Sequence, residues 1–134
     1  MKAKLSLLIV GLGLFLLAGP AFAHHSFKSE FDANKLMQFK GTVTKVEWMN
    51  PHVHFYMDVK DDGGAVSNWN FELGAPFLLH RLGWNKDSLK VGDQVAVEGY
   101  PAKDGSKMSS GKKITLSNGK QVFSQPSENE APGK

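Results

Sequence analysis

The chain has no cysteine. That excludes disulfides, thiolate metal centres, iron–sulfur clusters and cysteine nucleophiles. It has no phosphate-binding glycine loop, no nucleophile elbow and no pair of carboxylates in a recognisable frame. Serine, histidine and aspartate are present, but in no spacing that marks a hydrolase, so no catalytic residue is assigned. After residue 23 it also lacks any long apolar run. Neither sign of charge dominates: 16 basic residues face 13 acidic ones.

The one long apolar stretch is at the start. Lys2 and Lys4 precede an uncharged run from Leu5 to Ala18. Gly19 and Pro20 break it, and Ala21-Phe22-Ala23 places small residues where a signal peptidase reads them. The run is short of the roughly 20 residues that span a bilayer. Residues 1–23 are therefore expected to be a signal peptide. No lipobox cysteine is present. The chain is expected to be periplasmic or secreted, with no stable membrane insertion after cleavage.

Cleavage removes Lys2 and Lys4 and lowers the formal net charge from +3 to +1. The basic character of the whole chain is thus partly the signal's, and it argues for no nucleic acid. About 110 residues remain, enough for a single domain with one core. Without disulfides that core must hold itself by packing. Residues 24–123 are expected to form one domain. Residues 124–134 are rich in Pro, Ser and Glu and are expected to be a disordered tail.

Two histidines stand one residue apart in Trp48-Met49-Asn50-Pro51-His52-Val53-His54-Phe55-Tyr56. Val53, Phe55, Met57 and Val59 alternate with His52, His54, Tyr56 and Asp58. A period of two marks a half-buried strand, so both imidazoles leave from one face beside Tyr56.

The same patterning organises the rest. Leu36 to Trp48 is a long strand whose inward parity switches at Thr44-Lys45, which predicts a bulge, while Gly41 predicts a bend. The second strand runs from Val53 to Lys60. Asp61-Asp62-Gly63-Gly64 turns the chain into a third, Val66 to Leu73, with Trp69, Phe71 and Leu73 inward. Pro76 opens a short helix over Phe77 to Leu82, closed by Gly83. Lys90-Val91-Gly92-Asp93 leads into a fourth strand, Gln94 to Tyr100. A loop is expected over Lys103 to Lys112, and a fifth strand over Lys113 to Leu116. Ser117-Asn118-Gly119-Lys120 makes a hairpin turn, and Gln121 to Phe123 returns. Three strands, a helix and further strands make an all-β fold, an OB-fold-like β-barrel of five to six strands with one short helix between strands 3 and 4. An incomplete sandwich is the alternative.

The motifs His24-His25-Ser26-Phe27, Gly41 to Trp48, Asn50-Pro51-His52, Trp69 to Gly74, Gly83-Trp84 and Val91-Gly92-Asp93 through Tyr100 cover nearly all of the expected mature chain. Together they resemble a family of small exported bacterial proteins catalogued only as a domain of unknown function. The resemblance implies export and a small β-barrel. It supplies no activity.

A hairpin around Gly63 sets Lys60 opposite Val66, His54 opposite Glu72 and Tyr56 opposite Asn70. Facing residues have Cβ atoms about 4.5–5.5 Å apart. Histidines two apart on a strand have Cα atoms about 6.5–7 Å apart. His52, His54 and Glu72 are therefore candidate ligands for copper or zinc. His24 and His25 are further candidates: cleavage would leave His24 with a free α-amine beside its own imidazole, a chelate suited to copper. The alternatives are an idle chain start and a plain cross-strand pair between His54 and Glu72. His80, next to Arg81 near a helix end, is expected to be a surface side chain.

Lys103, Lys107, Lys112 and Lys113 lie where OB-folds often grip oligonucleotides, but no aromatic residue stands among them to stack on bases. Export and that absence together exclude nucleic acid as the expected partner. The expected function is an exported binding protein. A metal-free module that docks an exported protein partner or a small ligand on the barrel surface around its aromatic residues is the alternative; Trp48 and Trp84 could line a cleft there or close the core.

Overall fold

The computed structural model describes residues 27–124. The chain divides into two units, residues 1–30 and 31–134. Of the first, residues 27–30 are described, and they are helical. The second is a barrel. Its elements are β1 (Met37–Glu47), β2 (His54–Lys60), β3 (Val66–Glu72), α1 (Pro76–Arg81), β4 (Gln94–Pro101), β5 (Met108–Leu116) and β6 (Gln121–Ser124).

The strands hydrogen-bond in the order β3-β2-β1-β4-β5-β6, and a parallel β3–β5 pairing closes the first five into a barrel. β6 is an added strand on β5. β1 serves two neighbours. Its first half pairs with β4 from Met37↔Gly99 to Thr42↔Gln94, and its second half pairs with β2 up to Glu47↔His54. The strand changes partner where it bends. Gly41 lies there because a Cβ would sit 2.0 Å from the Asp58 carbonyl oxygen. The expected bulge is present, as a register shift between Val43 and Lys45. This connectivity, with α1 between β3 and β4, is an OB-like barrel.

The alternating apolar residues meet inside. Phe55 and Phe71 are fully buried and stack at 4.9 Å between centroids. Phe39 packs edge-on to Phe71 at 5.1 Å and against Trp69 at 4.7 Å. Val43, Met57, Val97 and Ile114 fill the remaining interior. Leu79 and Trp84 bring α1 and the residues after it into the same cluster. The Trp84 amide donates to the Leu79 carbonyl at 2.9 Å, folding the chain back onto the helix. Gly83, at φ +85°, supplies the left-handed residue that ends α1.

The fifth strand is where expectation and structure part. β5 begins at Met108, inside the stretch expected to be loop. Met108 to Lys112 has little intrinsic strand preference. It is recruited because closure needs a strand of small residues. A Cβ at Gly99 would lie 2.5 Å from the Ser109 Oγ and 2.7 Å from the Ser110 carbonyl oxygen. A Cβ at Gly111 would lie 2.7 Å from Leu73. Residues 103–107 remain a turn. The hairpin over Ser117 to Lys120 is as expected, and β6 ends at Ser124. The remainder of the expected tail, and the expected signal peptide, lie outside the described residues.

Candidate functional site on the outer face of β1, β2 and β3

Rows of outward side chains cross the three strands. The β2–β3 register is Lys60↔Val66, Tyr56↔Asn70 and His54↔Glu72, as the turn predicts. With the β1–β2 register, one row is Glu47, His54 and Glu72, and the next is Lys45, Tyr56 and Asn70. Val53 lies one residue before β2. Its amide donates to Gly74 at 3.0 Å, and its carbonyl accepts from Leu73 at 2.8 Å. Val53 is buried, so the extended backbone turns His52 and His54 outward on either side of it. The Asn50–Pro51 peptide just before is cis.

The side chains pair diagonally rather than directly across. His54 Nδ1 donates to Asn70 Oδ1 at 2.9 Å. His52 Nδ1 donates to Glu72 Oε1 at 3.0 Å. The expected cross-strand pair of His54 with Glu72 is therefore replaced: facing positions are right, but His52 reaches the carboxylate. Long side chains reach diagonal neighbours about 7–8 Å apart across a sheet. His52 is about half exposed, at 45%, and Glu72 is more sheltered, at 20%.

Both imidazoles are thus held through Nδ1 by an oxygen acceptor. In the neutral ring a proton on Nδ1 leaves the Nε2 lone pair available. Among the described residues neither Nε2 has a hydrogen-bond partner. No group of three His, Cys, Asp or Glu side chains among the described residues is gathered to hold a metal ion. His52, His54 and Glu72 share the face, with Glu72 bound to a ring rather than set beside it as a third donor. His24 and His25 lie outside the described residues.

The rest of the face is a charged network. Lys45 and Glu47 form an ion pair, and the Tyr56 hydroxyl donates to Glu47 Oε2 at 3.2 Å. The Lys45 ammonium lies 5.1 Å above the Tyr56 ring. Hydrogen bonding to Lys45 holds the Glu47 carboxyl below its ordinary value, with smaller help from Tyr56 and the nearby His54. Burial raises the Tyr56 phenol, and the neighbouring Glu47 carboxylate raises it further. Asn68 ties the far end by donating to Asp58 at 2.8 Å and Thr44 at 3.0 Å. The hydrogen-bonding roles of Asn70 and Glu47 escaped sequence reasoning. Their outward parity was legible, but the diagonal reach was not.

The other sequence candidates fall elsewhere. His80 is exposed on the last turn of α1, its ring edge-on to Trp48 at 5.3 Å. Trp69 packs on the core, with Nε1 donating to the Ser67 hydroxyl at 3.1 Å and Lys107 over its ring at 5.1 Å. A shallow hollow of about 510 Å³ opens over β1, β4 and β5, at Lys40, Thr42, Gln94, Ala96 and Thr115. None of its lining belongs to β2 or β3.

Fold and face together define a small OB-like barrel with a polar, histidine-bearing platform on its first three strands. The chain belongs to a family described as a family of unknown function (DUF6152), whose model matches residues 13–115. The comparison with curated proteins found no match. Among solved structures the chain is similar to the mitochondrial single-stranded DNA-binding protein Rim1 of S. cerevisiae, at 15% identity. That match covers 62% of this chain and 93% of the other, with a TM-score of 0.48. At that identity and score it carries nothing about ligand.

Proposed function

We propose that this is an exported binding barrel whose ligand is a divalent transition-metal ion, copper or zinc, held by the Nε2 atoms of His52 and His54. One observation carries the reading: each ring has its Nδ1 on an oxygen acceptor, Glu72 at 3.0 Å and Asn70 at 2.9 Å. Imidazoles that ligate metals are almost always held this way, which fixes the ring and raises its basicity. Two imidazoles suit copper and zinc better than the hard, oxygen-loving cations. The face itself contributes two donors, so water or an outside group fills the remaining positions.

Export rests on the pattern of residues 1–23. His24 and His25, at the chain start that cleavage there would create, are the rival site, and the reading assigns the ion to His52 and His54 instead.

Electron paramagnetic resonance of the copper-loaded protein tests the reading. Nitrogen couplings from two imidazoles are expected, and they should collapse in His52→Ala/His54→Ala. Glu72→Gln should weaken binding by about tenfold or more, the usual effect of losing an orienting partner. Spectra and affinity unchanged in the double variant would sink the assignment. A second reading, a metal-free docking module, is favoured by apolar side chains left exposed on and around α1.

A further inference from the structure

We infer that the end of the barrel capped by α1 docks onto an anionic lipid bilayer. This goes beyond the metal reading and does not depend on it.

The end is assembled where β1 and β3 finish and β2 begins. α1 buries Leu79 against the core and turns Phe77 and Leu78 outward, and Leu82 follows at its C-cap. The Trp48–His80 contact brings the β1–β2 loop against this helix, and with it the exposed Met49. Phe77 is 61% exposed, and Met49 and Leu82 are each 52% exposed. Large apolar side chains scattered singly need no explanation; a cluster of them at one end of a small barrel marks a contact surface.

The charge around this cluster selects the partner. From Leu73 to Lys86 the chain carries His80, Arg81 and Lys86 and no acidic residue. The carboxylates that border it are engaged: Glu47 by Lys45 and Tyr56, Glu72 by His52. Asp87 follows immediately after Lys86. An apolar tip rimmed by cations matches a surface that is anionic outside and apolar beneath. Phe, Leu and Met sink to the acyl boundary while Arg and Lys stay at the headgroups. Trp48, half-buried beside the tip, belongs to the residue type favoured at that depth. No helix among the described residues is long and apolar enough to cross a membrane.

The test is co-sedimentation of the chain beginning at His24, so that the Leu5–Ala18 run supplies none of the binding. Residues 31–134 are a compact unit with their own core, which supports use of this form. The probes are phosphatidylglycerol-containing vesicles and pure phosphatidylcholine vesicles, with tryptophan emission read in parallel. Expected are binding to the anionic vesicles, weakening by salt and a blue shift. Phe77→Ser/Leu82→Ser should lower the partition coefficient by about tenfold or more. Arg81→Glu should lower it several-fold. The altered residues are exposed, so thermal unfolding should stay near the parent's. Absence of pelleting with anionic vesicles, or equal pelleting of parent and double serine variant, overturns the proposal. Self-association that the serine variant abolishes, without vesicle binding, overturns it in favour of a second copy of the chain.

Discussion

Gly41→Ala is the substitution by which the barrel geometry is most exposed to refutation. Gly41 pairs with Val59 of β2 and Val95 of β4 at the bend of β1. An added Cβ would lie 2.0 Å from the Asp58 carbonyl oxygen and 2.9 Å from its carbon. Both atoms are backbone of the paired strand, so no side chain can swing aside. β1 must move away from β2. Overpacking of this kind costs about 1–3 kcal/mol. A strained ladder hydrogen bond adds about 1 kcal/mol. The sum, about 2–4 kcal/mol, is a large part of the roughly 5–15 kcal/mol that holds a domain together. Tm should fall by roughly 10–25 °C. Urea unfolding followed by tryptophan emission and circular dichroism measures it. Gly63→Ala is the control, because the nearest atom to its Cβ is Asp61 Oδ1 at 3.4 Å, in an exposed turn. If Gly41→Ala unfolds within about 0.5 kcal/mol of the parent, the close approach at the β1 bend is not real.

Three further outcomes follow from the same geometry. Gly99→Ala should destabilise more than Gly111→Ala in the same urea assay, because Gly99 faces the Ser110 carbonyl at 2.7 Å whereas Gly111 faces the movable end of Leu73. His52→Ala should change stability by less than about 1 kcal/mol, since its pair with Glu72 is partly solvated; a larger loss would make the ring structural. Glu47→Gln should lower the Tyr56 phenol pKa towards its ordinary value, read by ultraviolet titration against Tyr56→Phe, because a neighbouring carboxylate is one of the causes that raise it. The sign of the linkage is set by the direction of that shift. Tyr56 favours the fold below the ordinary phenol range, and that contribution is lost as pH rises through its raised folded value.

Much of the architecture was legible because alternation is a local signal. The inward parity of Phe55, Met57, Phe71 and Leu73, the bulge at Thr44-Lys45 and the register around Gly63 each follow from a few adjacent residues. The start of β5 was not legible. Met108 to Lys112 is a strand because β3 and β4 need a thin neighbour there, and that need comes from residues far away in sequence. The candidate site was legible at the level of which residues share a face. Which side chains bond was not, since Lys45, Asn70 and Glu72 choose among neighbours at similar distance only once the sheet is twisted. The exposed apolar end was invisible for a related reason. Phe77, Leu78, Leu79 and Leu82 look equally suited to the core, and the six-residue helix can turn only part of that set inward.

Calorimetric titration of copper and zinc into the chain beginning at His24 tests the metal reading most directly. It should be run beside a form with one extra N-terminal residue and beside His52→Ala/His54→Ala. For a site at His52 and His54, tight binding of a metal ion is expected in the first two forms and its loss in the double variant. Binding that survives in the double variant and disappears on N-terminal extension would contradict it and move the site to the amine of His24.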